Sequence, residues 1–314
     1  MAKESKFVSA VMYLHNDEER IAAFLETITD TLARNFEKYE LIFVNDASTD
    51  GGVARIYDFF AARKMDGQMV SIIQMSHFQG LEAAMNAGRD LAIGDFVYEF
   101  DDLCVDYGAE TILAVYRRML EGHDIVSARS DGRLRLTSKV FYALYNRESH
   151  ATNEIGAETF RILSRRAINR VKTLGQYIPY RKAVYMNCGL KADTISYAST
   201  AGSGRRTLHS NRSERATLAF DSFIYFTDIL EKISLAISAV FLGITLFMVG
   251  YLAYEYFSSE QPVEGWLSTM GFLSLGFMGV FILLSLVLKY LSVLLNLIFK
   301  RQRYLIAGVE KIIN

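Results

Sequence analysis

Two long runs without a charged residue constrain this chain more than any other feature. "ISLAISAVFLGITLFMVGYLAY" (233–254) and "GWLSTMGFLSLGFMGVFILLSLVL" (265–288) contain no Asp, Glu, Lys or Arg. Each is long enough to cross the ~30 Å hydrocarbon core of a bilayer as a helix. Core helices of this length normally keep a polar stripe. These keep none, so a transmembrane pair is the expectation and a pair of buried core helices the alternative. The intervening "EYFSSEQPVE" carries acids and no base, whereas Arg212, Arg215 and Lys232 precede the first run and Lys300, Arg301 and Arg303 follow the second. The positive-inside rule then puts the short loop outside and both chain ends in the cytoplasm, on a multi-pass protein of the cell (inner) membrane. Beyond Lys289, "YLSVLLNLIF" is apolar again. The second span is therefore either tilted or turned along the interface.

The 314 residues suffice for one large domain plus an appendage. A formal net charge of -1 gives no basic field for nucleic acid. Cys104 and Cys188 lie too far apart in sequence to suggest a disulfide framework, which fits a reducing compartment. "MAKESKFVSAVMYL" lacks the long apolar core of a secretory signal. Ahead of the apolar runs, "FVSAVMYL" (7–14), "ELIFVN" (40–45), "MVSIIQM" (69–75), "DFVYEF" (95–100) and "DIVSA" (124–128) read as strands. Helix-length segments such as "DEERIAAFLETITDTLARNF" and "LEAAMNAGRDLAI" separate them. That rhythm predicts βαβ units on a mostly parallel sheet, and such sheets bind ligands beyond the carboxyl ends of their strands.

The polar residues at those ends are "HNDEE", "NDASTDGG", "SHFQG" and "DD". Asn16, Asp46 and Ser48 are each good helix caps, but together on one sheet edge they point to a site. "FVYEFDDLCVDYG" (96–108) sharpens the question, because Glu99, Asp101, Asp102 and Asp106 crowd the end of an apolar strand. Such acids repel one another unless something cationic or well hydrated sits among them; an acidic turn facing water is the alternative. No G-x-G-x-x-G follows the first strand and no P-loop occurs. "GSGRR" (202–206) reads as a mobile basic loop. His15, His77, His123, His150 and His209 show no metal-ligand spacing. A nucleotide-sugar explains acids without a P-loop, because Mg²⁺ or Mn²⁺ between carboxylates and a diphosphate reverses the sign of their interaction.

"VSAVMYLHNDEERI", "YELIFVNDASTDGG", "GLEAAMNAGRDLAIGDFVYEFDD", "SKVFYALYNRES" and "FRILSRRAINRV" occur in this order, followed by the paired apolar runs. In this the chain resembles the polyprenyl-phosphate glycosyltransferases of glycosyltransferase family 2, the GT-A-fold group that includes dolichol-phosphate mannose synthases and bacterial undecaprenyl-phosphate glucosyltransferases. The resemblance implies an α/β GT-A (Rossmann-like, mostly parallel) cytoplasmic domain over residues 1–220, with juxtamembrane helices near 134–150 and 212–231. A two-helix transmembrane hairpin with a basic cytoplasmic tail follows over 221–314. It implies a nucleobase cradle at Leu14, Asn16 and Asp17, with Asp in place of the usual Glu. Base and ribose contacts fall at Asp46 and Ser48, where Asn45 replaces the first acid of the family's run. The family's D-x-D, which holds metal and diphosphate, places its first Asp on Asp101 and its second on Leu103. Successive strand residues face opposite ways, so Asp102 replaces the missing acid only if the backbone turns. A cation on Asp101 aided by Asp102 or Glu99 is the expectation, and weakened metal dependence the alternative.

A second departure puts Glu158 and Thr159 where the family has Gly-Asp before Phe-Arg. A lipid monophosphate, with a second pKa of about 6, is largely ionised already and needs positioning more than deprotonation. Arginines suit that task, which nominates Arg161 by family position, with Arg129 and Arg133 beside it and Arg205 and Arg212 near the membrane. For "RILSRR" the alternative is a solvated helix face. "LRLTSKVFYALYNRESH" (134–150) reads equally as a helix lying on an anionic membrane or one packed on the domain. The implied catalytic set is Asp101, Asp102, Glu158 and Arg161. The implied activity is inverting transfer of a sugar, from a UDP-sugar by expectation, to undecaprenyl phosphate or a related lipid phosphate, with a homo-oligomer as a further expectation. An impaired family member acting as a membrane-bound partner is the competing class. A processive synthase is disfavoured by two spans and the lack of Q-x-x-R-W.

Overall fold

The computed structural model describes residues 3–63, 68–131, 142–143, 156, 158–174, 180–199, 265–299 and 304–312, with isolated positions between 237 and 247. In chain order its elements are β1 (Val8–Leu14), α1 (Glu18–Asn35), β2 (Tyr39–Asn45), α2 (Gly52–Ala61), β3 (Met69–Met75), α3 (Leu81–Leu91), β4 (Phe96–Phe100) and α4 (Ala109–Leu120). There follow β5 (Ile125–Ser130), β6 (Phe160–Ser164), α5 (Arg165–Leu174), α6 (Arg181–Asn187), β7 (Ala192–Tyr197), α7 (Trp266–Phe299) and β8 (Ile306–Ile312). The strands form one sheet in the order β7-β5-β6-β4-β1-β2-β3-β8. Pairing is parallel from β4 through β1 and β2 to β3, and between β5 and β7. β6 runs antiparallel to both β4 and β5, and β8 antiparallel to β3.

All five strands expected from the sequence are present. Strands of a parallel sheet are covered on both faces and therefore read as apolar runs; every residue of β2 is buried. Alternation then sorts the side chains into two layers. Met12, Phe43, Tyr98, Phe100 and Ile162 pack with α1, α2 and α4 on one face. Val11, Val44, Val97 and Leu163 pack with α3, α5 and α6 on the other. Gly88 lets α3 sit close to the sheet: a Cβ there would lie 2.3 Å from Val11 Cγ1 and 2.7 Å from Val44 Cγ2.

Two readings need correction. "RILSRR" is not a helix face throughout, because Phe160–Ser164 is an internal strand and the helix starts at Arg165. The segment lies between β4 and β5, so its first residues are buried from both sides. The tail is not an appendage of the apolar part either, since Ile306–Ile312 pairs along β3. Accordingly the chain divides into one unit of Met1–Ala219 with Arg301–Asn314, and another of Phe220–Lys300.

The first apolar run lies outside the described residues except for isolated helical positions such as Ile237 and Val240. The expected helices at 134–150, apart from Tyr142 and Ala143, and at 212–231 also lie outside them. Over the described residues taken alone, no helix is long and apolar enough to cross a membrane. The backbone of α7 is nonetheless helical for 34 residues, so the second run continues through "YLSVLLNLIF" as one helix. At ~1.5 Å per residue that is about 51 Å.

Replacing Gly88 by Ala is expected to push α3 off Val11 and Val44. The cost is about 1–3 kcal/mol of overpacking, measured as a lower apparent Tm of the full chain in detergent.

Candidate functional site

The parallel strands end on one edge, and β6, running the other way, begins there. Glu99 and Arg161 are directly paired across β4 and β6, so their side chains share a face, and Asp101 lies two residues on from Glu99. Into this face α6 inserts Arg181. Arg161 donates from Nη1 to Glu99 Oε2 (3.0 Å), from Nη2 to Asp101 Oδ2 (2.6 Å) and from Nε to Glu158 Oε2 (3.1 Å). Arg181 donates from Nη1 to the same Glu99 Oε2 (2.7 Å), from Nη2 to Asp101 Oδ1 (2.7 Å) and from Nε to Glu82 Oε2 (2.8 Å). Tyr185 gives its hydroxyl proton to Glu99 Oε1 at 2.7 Å, and Arg89 in turn donates to the Tyr185 oxygen at 3.1 Å. Arg89, Glu99, Arg161 and Arg181 are fully buried.

The cations among the crowded acids are thus guanidiniums. Burial alone would raise the Asp101 carboxyl, but Arg161 and Arg181 outweigh it and hold it well below the usual carboxylate range. Burial first, and then the charge of Glu99, push the Tyr185 phenol upward, so it remains a donor. Asp106, the last acid of the stretch, receives Tyr197 OH at 2.7 Å and Ser199 Oγ at 3.3 Å. Thr159 Oγ1 joins this group at 2.6 Å from the Tyr197 oxygen.

Asp102 accepts the Cys104 N–H at 2.9 Å. Leu103, where the second acid of a D-x-D would fall, is buried in the core with Phe100 and Tyr107. Both oxygens of Asp101 and both of Glu99 already accept hydrogen bonds, and no group of three metal-ligating side chains occurs among the described residues. Leu103 thus brings no second acid beside Asp101 for the Mg²⁺ or Mn²⁺ expected at Asp101 and Asp102. Arg161 is also corrected: each guanidinium nitrogen meets a buried carboxylate, so it positions Asp101 and does not face an acceptor phosphate. Glu158 is held by Arg161 in the same way. Arg129 is exposed at the end of β5. Arg133, Arg205 and Arg212 lie outside the described residues.

The residues expected to cradle a nucleotide build loops. The Leu14 side chain is in the core, and its carbonyl accepts the Asp46 N–H at 2.9 Å. Asn16 has φ 56° and Ala47 φ 52°, so each loop passes through a left-handed residue. The Asn16 N–H reaches Ser48 Oγ at 3.2 Å, and Asn16 Oδ1 accepts the Thr49 N–H at 2.8 Å. Asp50 caps two helices at once, taking the N–H groups of Glu18 (2.8 Å) and Gly52 (3.1 Å). Asp17 is buried at the start of α1, 3.5 Å from Arg20. Asp46 is fully buried and accepts the N–H groups of Gln79 and Gly80, each at 2.8 Å, and Tyr13 OH at 3.1 Å. None of Asn16, Asp46 and Ser48 is a helix N-cap, since those positions in α1, α2 and α3 are Asp17, Gly51 and Gly80; their bonds tie loop to loop along the sheet edge.

Sequence reasoning missed Arg181, Glu82, Arg89 and Tyr185 as parts of the acid cluster, and His15 and Phe78 at the nucleotide edge. His15 donates Nδ1–H to the Asp46 carbonyl at 2.7 Å, and its ring lies 4.6 Å from that of Phe78. The crowding of acids signalled that cations must exist; nothing in the local pattern identified which ones.

Arg181→Met leaves Glu99 and Asp101 buried beside a single guanidinium. It is expected to cost about 3–5 kcal/mol, seen as a collapse of apparent Tm; Arg181→Lys, lacking the planar fork, is expected not to restore it. Asp101 has a depressed folded-state pKa, so its contribution is complete above the ordinary carboxylate pKa of ~3.9 and fades as pH falls toward the lowered value. The Tm advantage of the native chain over Asp101→Asn is therefore expected to be constant from pH 8 to 5 and to shrink below about pH 4.

The glycosyl transferase family 2 model matches residues 9–172, which span β1 to α5. A prophage bactoprenol glucosyl transferase homolog of Escherichia coli K12 is 29% identical over 196 residues, covering 60% of this chain and 62% of that protein. The chain thus matches less than two thirds of that relative's length. An undecaprenyl-phosphate 4-deoxy-4-formamido-L-arabinose transferase of Aeromonas hydrophila is 30% identical over 42% of this chain and 41% of its own length. Among solved structures, a mannosyltransferase from Pyrobaculum calidifontis in complex with GDP-Man and Mn²⁺ superposes with TM-score 0.53 at 16% identity, covering 95% of this chain and 89% of that one. This likeness shows the GT-A-like fold. The family match covers the strands that carry the cluster and the loops after β1 and β2, and the chain belongs to glycosyl transferase family 2.

Proposed function

We propose that this glycosyltransferase moves a sugar from a nucleotide-sugar, a UDP-sugar in our reading, to a polyprenyl phosphate such as undecaprenyl phosphate. The reaction takes place at the cytoplasmic face of the cell membrane, where two apolar helices anchor the chain. One observation carries the reading. The loops after β1, β2 and β3 and the Asp101 cluster meet on the same sheet edge, in a chain that also holds two runs without charge. The names of the bactoprenol and undecaprenyl-phosphate relatives support a lipid phosphate as acceptor.

In the reaction a lipid phosphate oxygen attacks the anomeric carbon as the bond to the nucleotide diphosphate breaks on the opposite side, which inverts the configuration. Much of the phosphate is a dianion at neutral pH, since its second pKa is about 6, so no side chain has to remove a proton. That is why Thr159 in place of an acid, and Glu158 held by Arg161, do not block the chemistry. Exposed Arg129 is the described residue best placed by type to meet the acceptor phosphate. Asp101, fixed by two arginines, is a permanently ionised acceptor for donor hydroxyl groups.

A second reading, an impaired member serving as a membrane-bound partner, is favoured by Leu103 in the core, where the second acid of a D-x-D would fall. Transfer of radiolabelled sugar from a panel of nucleotide-sugars to polyprenyl phosphate by the purified full chain separates the two. Lipid-linked label is expected with at least one donor, and part of the activity should persist in EDTA because the carboxylates are already paired with arginines. No transfer and no nucleotide binding across the panel would favour the partner reading. Complete dependence on Mn²⁺ would return the cation to the acids.

A further inference from the structure

The chain's last described segment reaches the nucleotide edge. β8 pairs antiparallel with β3, and the register shifts at Gln74/Met75, where β3 runs into the loop of residues 76–80. There the pairing passes from main chain to a side chain. Leu305 donates its N–H to Gln79 Oε1 at 2.8 Å, while its carbonyl accepts Gln79 Nε2 at 2.7 Å and the Ser76 N–H at 3.1 Å. The Gln79 amide thus closes a two-bond ring on the backbone of Leu305, as another strand residue would. On the opposite side the same loop is held by buried Asp46 through the N–H groups of Gln79 and Gly80. Tyr304 adds a bond from its hydroxyl to Asp90 of α3 at 3.0 Å.

What this double grip fixes is an aromatic ledge. Phe78, 40% exposed, lies between the two anchored points and meets the ring of His15, whose own position is set by the Asp46 carbonyl. Exposed Phe78 and half-buried His15, beside left-handed Asn16, present an apolar face and polar rims, the chemistry that takes a flat heteroaromatic ring. Residues 300–303 alone separate this strap from the end of α7.

We propose that residues 304–312 act as a strap that positions the donor site. Gln79 is the positioning residue that transmits the strap's hold to Phe78 and His15, and the ligand held there is the base of the donor's nucleoside diphosphate. This rests on the nucleotide-sugar reading above. A loosened loop leaves the ledge to be ordered at the moment of binding, and that ordering weakens affinity. The lipid acceptor, which does not touch the ledge, is unaffected.

The test uses the full chain in detergent with UDP and GDP as probes, read by titration calorimetry, together with donor KM, acceptor KM and kcat. Gln79→Ala and Leu305→Pro, which removes the Leu305 N–H, should each weaken binding of the preferred nucleotide about five- to tenfold. Donor KM should rise in parallel, with acceptor KM unchanged and apparent Tm of Gln79→Ala close to native. The double variant should be no weaker than the worse single one, since both break the same ring. Tyr57→Phe, which removes only the hydroxyl contact to Glu310 further along β8, should bind as the native chain does. Unchanged nucleotide affinity in Gln79→Ala, or fully additive losses, overturns the strap. If the native chain binds nucleotide without transferring sugar, the transferase reading falls while the affinity ratios still decide the strap. A native chain that binds neither UDP nor GDP overturns both.

Discussion

Two arginines buried among four carboxylates hold the centre of this structure. Taking such charges out of water costs several kcal/mol for each ion after relaxation, and only close, fully hydrogen-bonded geometry offsets it. Here every nitrogen of both guanidiniums faces a carboxylate oxygen. The cluster joins β4, β6, α3 and α6, elements that are distant in sequence and share no hydrogen-bonded ladder beyond β4 with β6. Arg89 and Lys182 add positive charge within electrostatic reach of Glu99 and Asp101, so four acids are balanced by four bases. Replacing such a set by apolar side chains is often neutral or favourable to stability. What the set does beside the sheet edge is geometric: it fixes one carboxylate, Asp101, in one charge state and one place.

The loops after β1, β2 and β3 follow a similar logic with main-chain donors. Asp46 sits where three loops meet and accepts N–H groups that would otherwise be buried and unpaired, a cost of about 1–3 kcal/mol each. A single acid thereby ties the ends of β1 and β2 to the start of α3. Asn16, Ser48 and Asp50 repeat the device between neighbouring loops. The site is assembled mainly from polar groups that satisfy one another, leaving the edges of His15, Phe78 and the loop backbones to meet a ligand.

What the sequence made legible is what local pattern encodes. The five expected strands were readable because burial on both faces makes them apolar along their whole length, and the polar edge because parallel strands all finish on the same side. The crowding of Glu99, Asp101, Asp102 and Asp106 announced a need for positive charge. Its source was not readable: Arg181 lies 80 residues from Asp101 on a seven-residue helix with no period to mark it. β6 was obscured because "FRILSRR" joins a strand to a helix without a turn residue between them. β8 was hidden by its neighbourhood, since a basic tail after an apolar run reads as a membrane flank, and its "IAGVEKI" lacks the alternation that would argue otherwise. Past Phe100, where β4 ends, strand alternation no longer applies, and Leu103 packs in the same layer as Phe100.

The strap also sets a timetable for synthesis. The edge of β3 emerges early, but its partner follows more than two hundred residues later, after both apolar runs have been made. At 5–20 residues per second, that flank, with buried Val70, Ile72 and Ile73 behind it, waits roughly 10–50 s with its ladder groups open. An unguarded β edge is a template for joining other chains. The nascent protein therefore carries an aggregation hazard while its two apolar runs are being made, and closing the sheet is the step that ends it.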